Sequence, residues 1–205
     1  MIGIVDYGVG NLASVRNAFD RAGYEAELCS RQEELGQYER LVLPGVGSFR
    51  SAMELLEQGG WVHALKTYAA TKKPMLGICL GMQLMFDYGE EHGGAAGLGL
   101  IPGTVVHLEP AAPNKVPHVG WNSLNHAMRH SLLEGVKPVV DFYFVHSYHC
   151  VPKNPEHILA TCDFGGEFVA AVVAGNVAGM QFHPEKSQPA GIRILENFAE
   201  WEPQC

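Results

Sequence analysis

The pentapeptide Gly77-Ile78-Cys79-Leu80-Gly81 places one cysteine between two glycines, each two residues away. The apolar run 75–78 before the cysteine is typical of a short buried strand, and the run 80–86 after it is typical of the start of a helix. The two glycines remove side chains that would collide where strand and helix cross, so the backbone can hold Cys79 at a strained angle. The pattern is the cysteine form of the nucleophile elbow G-x-S-x-G.

A cysteine in such a turn is predicted to act as a nucleophile. The N-terminus of the following helix would favour the thiolate, and the amide of Leu80 would face an oxyanion formed beside the sulfur. The alternative is a structural cysteine, because Cys is among the most buried residue types and a strand end is an ordinary place for one. The pentapeptide alone leaves both interpretations open.

A second stretch, residues 179–187, contains a base and a carboxylate in the order His183-Pro184-Glu185. In an extended segment, residues two apart point to the same side, so Glu185 can bond one imidazole nitrogen of His183 while the other nitrogen faces Cys79. Pro184 fixes its own φ and biases His183 away from helix, which maintains that geometry. Nucleophile, base and orienting carboxylate are then all present, which favours catalysis.

The composition predicts one compact domain over residues 1–205, since 47% of the residues are hydrophobic and 18% are charged. The formal net charge of −8 and the lack of a basic run argue against nucleic acid or an anionic membrane as a partner. Residues 1–6 contain no basic segment, and no apolar run approaches the roughly 20 residues that span a bilayer. We therefore expect neither export nor membrane insertion.

The five cysteines are an odd number, are widely spaced and include no C-x-x-C pair. This pattern favours free thiols in a reducing compartment, the cytoplasm, over a disulfide framework or a structural zinc site. The ten histidines are scattered along the chain, and none lies in a Cys/His ligand pattern. We expect neither a metal nor a cofactor.

The first half of the chain alternates apolar runs with helical patterns, which predicts a parallel sheet with helices on both faces. The predicted strands are 2–5, 25–29, 41–43 and 75–78, and the predicted helices are 12–22, 52–70 and 80–86. The second half has β-rich runs at 104–108, 142–148, 158–164, 169–173 and 177–182, a tight turn at 175–176 and a final helix at about 191–201. The fold class is therefore α/β, with an open, mostly parallel central sheet and a smaller antiparallel element in the second half. Its working crevice is expected at the carboxyl ends of the parallel strands.

The elbow, extended to residues 77–83, and the His183-Pro184-Glu185 segment together resemble the class I, triad-type glutamine amidotransferases. Five further blocks are similar to the glutaminase subunits of imidazole glycerol phosphate synthases, enzymes of histidine biosynthesis. These blocks are residues 4–11, 43–49, 115–122, 143–148 and 181–187. They extend from the first strand to the last catalytic segment. The resemblance implies the single-domain fold of that family.

The chemistry that the resemblance implies is glutamine hydrolysis through a γ-glutamyl thioester on Cys79. His183 would protonate the departing ammonia and then activate a water molecule, while Glu185 holds the imidazole in the required tautomer. The oxyanion would be held by the amide of Leu80 and by one amide of the 44–47 loop.

Within that loop, the oxyanion donor is expected at Val46 or Gly47. Because glycines flank Val46, its peptide can rotate at low steric cost. Our hypothesis is that the Val46 amide turns towards the site only when the partner subunit holds its own substrate. The alternative is an ordinary Pro-Gly turn.

The resemblance also implies a substrate pocket, lined by Gly47, Gln83, His146, Ser147 and Tyr148. The alternative for residues 143–148 is a buried strand, in which His146 is a satisfied polar residue. In either case Phe144 and Val145 are expected in the core.

The partner implied by the resemblance is a separate (β/α)8-barrel cyclase. It would receive the ammonia through the barrel interior and make imidazole glycerol phosphate and an aminoimidazole carboxamide ribotide. The predicted docking residues are Asn11, Trp121, Tyr143 and Lys186. Trp is enriched at interface hot spots, although Trp121 could equally be core packing and Lys186 a solvated charge.

Three other classes of protein compete with this interpretation. Residues 8–13 fit the dinucleotide fingerprint G-x-G-x-x-G/A, but Ser30 and Arg31 stand where its acid is needed. A self-sufficient cysteine hydrolase, such as a γ-glutamyl hydrolase, would use the same triad without a partner, but the 115–122 block favours the two-subunit enzyme. A catalytically silent flavodoxin-like interaction module is the third, and an activity assay distinguishes it.

Overall fold

The structure, a computed structural model, describes residues 1–203. The last two positions of the predicted domain, Gln204 and Cys205, lie outside the described residues. The strands are β1 (Ile2–Val5), β2 (Ala26–Cys29), β3 (Arg40–Gly45), β4 (Met75–Cys79), β5 (Phe86–Gly89), β6 (Ala95–Ala96), β7 (Ile101–His107), β8 (His118–Ser123), β9 (Asn125–His126), β10 (Asp141–His146), β11 (Tyr148–Pro152), β12 (Ile158–Asp163), β13 (Glu167–Ala174) and β14 (Val177–Met180). The α-helices are α1 (Leu12–Arg21), α2 (Phe49–Gln58), α3 (Trp61–Ala70), α4 (Leu80–Leu84) and α5 (Gln188–Glu200).

The centre of the main sheet is parallel, as the sequence predicts. Its strands lie in the order β2-β1-β3-β4-β14, and each neighbouring pair is parallel. These strands are largely buried and apolar, which is typical of a parallel sheet covered on both faces. All their carboxyl ends meet at one edge, where Cys79 ends β4.

Helices cover both faces of this sheet, which confirms the α/β prediction. Helices α1 and α5 pack on one face, where Phe19 and Phe198 belong to the same apolar core. Helices α2, α3 and α4 pack on the other face, in a core that contains Phe49 and Leu65. Along β1, Ile4 faces the first core and Val5 the second, as the alternation of a strand requires. No α-helix within residues 1–203 is long and apolar enough to cross a membrane.

The second half of the chain is mainly antiparallel. Strand β13 pairs antiparallel with β14 across the Gly175-Asn176 turn, which confirms the predicted hairpin. The main sheet then continues through β11, β7, β5 and β6, while β12 pairs with β13 outside this order and β9 pairs with β12. Strands β8 and β10 form a separate antiparallel pair. This pair is the smaller antiparallel element.

Several boundaries differ from the prediction; the strand predicted at 104–108, for example, is Ile101–His107. The predicted helix 52–70 is two helices, because Gly60 has a left-handed φ of 72° and ends their continuity. The predicted helix 80–86 ends at Leu84, since Phe86 begins β5 and pairs with Ile101. The predicted strand 142–148 is divided at Ser147, where the chain leaves the small sheet and enters the main one. The division at Gly60 has a local cause, whereas the differences at Phe86 and Ser147 depend on strands that are distant in the sequence.

Candidate active site

Cys79 adopts the strained conformation that the elbow predicts, with φ 54° and ψ −112°. A side chain on Gly77 would come within 2.6 Å of the Met82 nitrogen, and one on Gly81 would overlap the carbonyl oxygen of Leu43. Strand, turn and helix can therefore pack at this distance only with glycine at both positions. The helix that follows, α4, has only 5 residues, so its dipole contributes less than the predicted longer helix would.

The predicted oxyanion residues lie directly beside the elbow. Gly45 at the end of β3 pairs in register with Cys79, so Val46 and Gly47 follow at the same edge of the sheet as Leu80. Val46 is exposed, and Gly47 has a φ of 100°, which glycine adopts readily. The loop thus lies beside the elbow, and there is open space around Gly47.

The predicted base and carboxylate are in contact. His183 Nδ1 lies 2.8 Å from Glu185 Oε1, and the two side chains are only 3% and 2% exposed. Burial by itself lowers the pKa of His183, but the Cys79 thiolate and the hydrogen bond to Glu185 outweigh it and raise the pKa to about 9. Its Nε2 is buried and has no hydrogen-bond partner within residues 1–203. This nitrogen is therefore available to a substrate.

Nearly all the predicted catalytic and pocket residues line one cavity of about 360 Å³. It is lined by Val46, Gly47, Cys79, Leu80, Gln83, His146, Ser147, Tyr148, His183 and Lys186, together with Glu91, Pro117 and Val145. Glu185 is not in the lining, because it contacts the Nδ1 side of His183. The expectation that Val145 is core is wrong, since it is partly exposed at this wall, whereas Phe144 is fully buried.

Glu91 is a pocket residue that the sequence interpretation missed. It lies on a short 3₁₀ turn after β5, and its Oε2 accepts a hydrogen bond of 2.7 Å from the Phe49 amide. The carboxylate adds a negative charge to the cavity wall. No local motif identifies it, because its place depends on the packing of the turn against α2.

Gln83 has a defined orientation in this wall. Its Nε2 donates to the Tyr148 carbonyl at 3.0 Å and to Gln181 Oε1 at 3.0 Å. Because a carbonyl only accepts, the nitrogen must face Tyr148, and both amide hydrogens are used within the protein. Only Oε1 of Gln83 is left for a substrate.

His146 lines the cavity, but both of its ring nitrogens have protein partners. Nδ1 lies 2.9 Å from the Tyr148 carbonyl, and Nε2 lies 3.0 Å from Nδ1 of His118. The carbonyl only accepts, so His146 carries its proton on Nδ1 and accepts from His118. Burial lowers the pKa of His146 to about 3 and that of His118 to about 4, so both rings are neutral. The sequence interpretation missed His118. This residue does not line the cavity, but its hydrogen bond holds His146, which does.

Three of the predicted docking residues form one cluster. The rings of Trp121 and Tyr143 lie 5.8 Å apart, and Lys186 Nζ lies 5.6 Å from the Tyr143 ring centroid. Trp121 is 47% exposed, so it is not core packing. Asn11 is exposed at the start of α1, and α1 packs against the turn 184–186 that contains Lys186. The cluster lies beside the rim of the cavity.

Ser187 joins this cluster to His183. Its hydroxyl donates to the His183 carbonyl at 2.6 Å and accepts from the Tyr143 amide at 3.0 Å. The His183 amide in turn donates to the Tyr143 carbonyl at 2.9 Å. The sequence interpretation missed Ser187, because its partners become visible only when β10 is placed beside the turn.

The described part of the chain holds no group of three or more side chains that could bind a metal ion. The expectation that no H-x-x-x-H spacing occurs is wrong, because His126 and His130 have it, but no third ligand joins them among the described residues. The described cysteines, Cys29, Cys79, Cys150 and Cys162, are all free thiols.

Comparison with known families matches this arrangement. The family model described as "Glutamine amidotransferase class-I" matches residues 3–201. The chain therefore belongs to the class I glutamine amidotransferase family, and its activity is that of a glutamine amidotransferase. This assignment decides against the dinucleotide-binding interpretation of residues 8–13.

Relatives with curated names narrow the assignment. A protein from Desulfitobacterium hafniense named "Imidazole glycerol phosphate synthase subunit HisH" is 49% identical over 201 residues, covering 98% of this chain and 94% of the relative. A protein from Pseudomonas aeruginosa named "Imidazole glycerol phosphate synthase subunit HisH 2" is 45% identical over 201 residues, covering 98% and 99%. Within the larger family, the chain belongs with these HisH subunits.

Solved structures confirm the fold. The structure titled "Structure of PurLQS from Thermotoga maritima" aligns with a TM-score of 0.76 at 18% identity, covering 97% of each chain. A "Crystal structure of glutamine amidotransferase" aligns with a TM-score of 0.72 at 21% identity, also covering 97% of each. At these identities the likeness concerns the fold alone.

Proposed function

We propose that this chain hydrolyses L-glutamine to glutamate and ammonia as the glutaminase subunit of an imidazole glycerol phosphate synthase in histidine biosynthesis. One observation carries the proposal. A strained Cys79 and the free Nε2 of a carboxylate-bonded His183 line the same cavity, although they are far apart in the sequence.

The first half-reaction forms a thioester. The Cys79 thiolate attacks the side-chain amide carbon of glutamine, and the electron pair of the carbonyl moves onto its oxygen. When the tetrahedral intermediate collapses, the C–N bond breaks and Nε2 of His183 gives its proton to the nitrogen, which leaves as ammonia. The high pKa of His183 suits it to carry that proton beside a thiolate.

The second half-reaction releases glutamate. Neutral His183 takes a proton from water as the oxygen attacks the thioester, and the C–S bond breaks to regenerate the Cys79 thiolate. The ionised Glu185 accepts a hydrogen bond from Nδ1–H, fixes the tautomer that leaves Nε2 free, and stabilises the ring when it becomes cationic.

The oxyanion is stabilised by backbone amides at the elbow. Leu80 supplies one amide, and Val46 or Gly47 supplies the other, since both line the cavity beside Cys79. Each donor is worth roughly 10²- to 10³-fold in rate. Because Gly47 leaves the Val46 peptide free to rotate, the second donor is a switch that the partner subunit closes.

The pocket binds the amino-acid end of glutamine by charge and shape. Oε1 of Gln83 and the Glu91 carboxylate offer acceptors to the α-ammonium group. Gly47, Ser147 and Tyr148 form the remaining wall with His146 behind them. The ammonium acceptors favour an amino acid over a simple amide.

The partner we propose is a (β/α)8-barrel cyclase, docked over Asn11, Trp121, Tyr143 and Lys186. An exposed aromatic pair with a lysine is typical of an interface hot spot. A sealed passage for ammonia between the subunits keeps it unprotonated and nucleophilic. The cysteines that the structure describes are all free thiols, which favours a reducing compartment, the cytoplasm.

The decisive experiment replaces Cys79 in the complex with the cyclase. Cys79→Ala is expected to abolish glutamine-dependent synthesis, while supplied ammonium restores the cyclase reaction. Cys162→Ala, which removes a buried thiol from β12 outside the cavity, is the matched control and should keep glutaminase activity. A Cys79→Ala protein that still releases glutamate would overturn the assignment. Equal glutaminase rates in the isolated chain and the liganded complex would overturn the Val46 switch.

A further inference from the structure

Gln181 is a fully buried polar side chain that the mechanism above does not use. It follows β14, is 0% exposed, and its backbone amide donates to the Ala170 carbonyl at 2.8 Å. Its side-chain Nε2 lies 3.9 Å from Cys79 Sγ. A buried amide beside a nucleophile needs an explanation, because burying a polar group is costly unless its hydrogen bonds are used.

The neighbours of Gln181 fix which of its atoms faces the sulfur. Both hydrogens of Gln83 Nε2 are donated, one to the Tyr148 carbonyl and one to Gln181 Oε1. Gln181 Oε1 must therefore face Gln83, and the NH₂ group must face Cys79. A chain of hydrogen bonds thus starts at a backbone carbonyl and ends at the sulfur.

The two protonation states of Cys79 need different partners. The thiol can donate, and Sγ lies 3.8 Å from the Val145 carbonyl oxygen, which accepts. The thiolate can only accept, and the Val145 oxygen then repels it. Protonated His183 also faces the thiolate, but it must give its proton to the leaving nitrogen, so the Gln181 amide is the side-chain donor that can stay on the sulfur throughout the reaction. Charge-assisted bonds of this kind are shorter than neutral ones, so the contact tightens when the thiolate forms.

We propose that Gln181 is a positioning residue for the Cys79 thiolate: oriented by Gln83, its amide donates to the ionised sulfur and holds it facing the substrate carbonyl. This inference rests on the proposed function for its catalytic consequence. The hydrogen bond to the sulfur itself can be tested without glutamine.

The test compares Gln181→Met with wild type in the full chain, alone and in the cyclase complex. We measure iodoacetamide alkylation of Cys79 against pH, with Cys79→Ala as the blank. Loss of the donor should raise the pH midpoint of alkylation by about one unit, because a hydrogen bond to a charged group is worth roughly tenfold. The glutaminase kcat should fall by about tenfold with KM little changed. His183, Tyr7 and Cys150, the other titratable groups that interact with Cys79, are unaltered.

Two further variants separate positioning from packing. Asn197→Leu removes a buried amide that donates to the Leu132 and Glu134 carbonyls, and should lower the melting temperature without moving the midpoint. Gln181→Glu keeps an oxygen for Gln83 but places a negative charge at the sulfur, so its midpoint should rise at least as far as that of Gln181→Met.

An unshifted midpoint in either folded Gln181 variant overturns the proposal. If neither variant folds, the wild-type Gln181 side-chain amide protons, followed by NMR, must shift as Cys79 titrates, and a constant signal overturns it. The wild-type complex could lack glutaminase activity while the Gln181 variants still shift the alkylation midpoint of Cys79. That result would refute the proposed function and leave this inference standing.

Discussion

The parallel and antiparallel halves of the molecule hold their functional groups in different ways. In the parallel half, Cys79 is positioned by backbone geometry, with a positive φ and two glycines packed against neighbouring backbone. In the antiparallel half, His146 is positioned by side-chain hydrogen bonds to His118 and the Tyr148 carbonyl. The first device is steric and insensitive to pH, whereas the second depends on the protonation of buried rings.

His183 stands at the junction of the two halves. It follows β14, the last parallel strand, yet its main chain is bonded to Tyr143 on β10 and its ring to Glu185. The difference teaches that this site combines a cysteine fixed by backbone geometry with a histidine whose position is set by polar contacts. The predictions below perturb one half at a time.

The largest effect is expected from Gly81→Ala in the steric half. The new methyl would overlap the Leu43 carbonyl oxygen, so strand and helix must separate. We expect a loss of more than about 3 kcal/mol in the free energy of unfolding, measured in urea. Gly36→Ala, at an exposed position with open space around it, is the control and should change stability by less than about 0.5 kcal/mol. Equal stabilities of the two variants would show that the elbow is not sterically set.

Acid should weaken the antiparallel half. The folded-state pKa values of His146 and His118, about 3 and about 4, lie below the value of an unfolded histidine. The unfolded chain therefore binds two more protons than the folded chain as pH falls through about 6.5. Between pH 7.5 and 5.5 this pair should remove about 3 kcal/mol from the unfolding free energy, and His183, whose contribution grows as the pH falls to about 6.5, should return about 1 kcal/mol of it.

The corresponding variant is His146→Gln, which keeps a donor for Tyr148 and should remove about half of that acid dependence. His63→Gln, at an exposed histidine on α3, is the control and should leave the dependence unchanged. Urea unfolding at several pH values measures both. A His146→Gln protein with the wild-type slope would contradict the neutral pair.

Raising the pH should instead lower the unfolding free energy through His183, which stands between the two halves. The folded-state pKa of His183, about 9, lies above the unfolded value, so its contribution is complete below about pH 6.5 and is lost as pH rises through 9. From pH 7 to 9 we expect a loss of about 2 kcal/mol. His183→Gln should flatten the curve in this range, and an unchanged curve would show that His183 is not held as the cation.

The smallest effect is expected from Ser187→Ala. It leaves the Tyr143 amide without its partner and frees the His183 carbonyl, which should cost about 1 to 2 kcal/mol. Glutaminase activity should fall by about tenfold, because the base loses part of its support. Ser131→Ala, at an exposed serine, is the control. Full activity in Ser187→Ala would mean that the turn 184–186 holds His183 without it.

The steric half was largely predictable from the sequence. Glycine spacing around Cys79 and the alternation of apolar runs with helical patterns are local signals, and they correctly give the parallel strands and the strained turn at Cys79. Relatives and the family model confirm the enzyme class that these motifs resemble.

The polar half was less predictable, since its partners are joined only by cross-strand register. The break at Ser147, the His118–His146 pair and the role of Ser187 each require two strands to be aligned first. Likewise, α4 ends before Phe86 because Phe86 pairs with Ile101, which lies on the later strand β7. Gln181 lies within the recognised motif, yet nothing local shows that its amide faces the sulfur.

The place of β14 in the sheet has a consequence for biosynthesis on the ribosome. This strand is made among the last, but it lies between β4 and β13 in the middle of the sheet. A nascent polypeptide that has completed the elbow therefore presents β4 as an unprotected edge, open to wrong pairing with other chains. Strand β14 also leads directly to His183. The pairing of β14 with β4 therefore covers this edge and brings His183 to Cys79 in the same step. If His183 is the base, as proposed, we expect an unfinished chain that lacks β14 and residue 183 to be inactive towards glutamine.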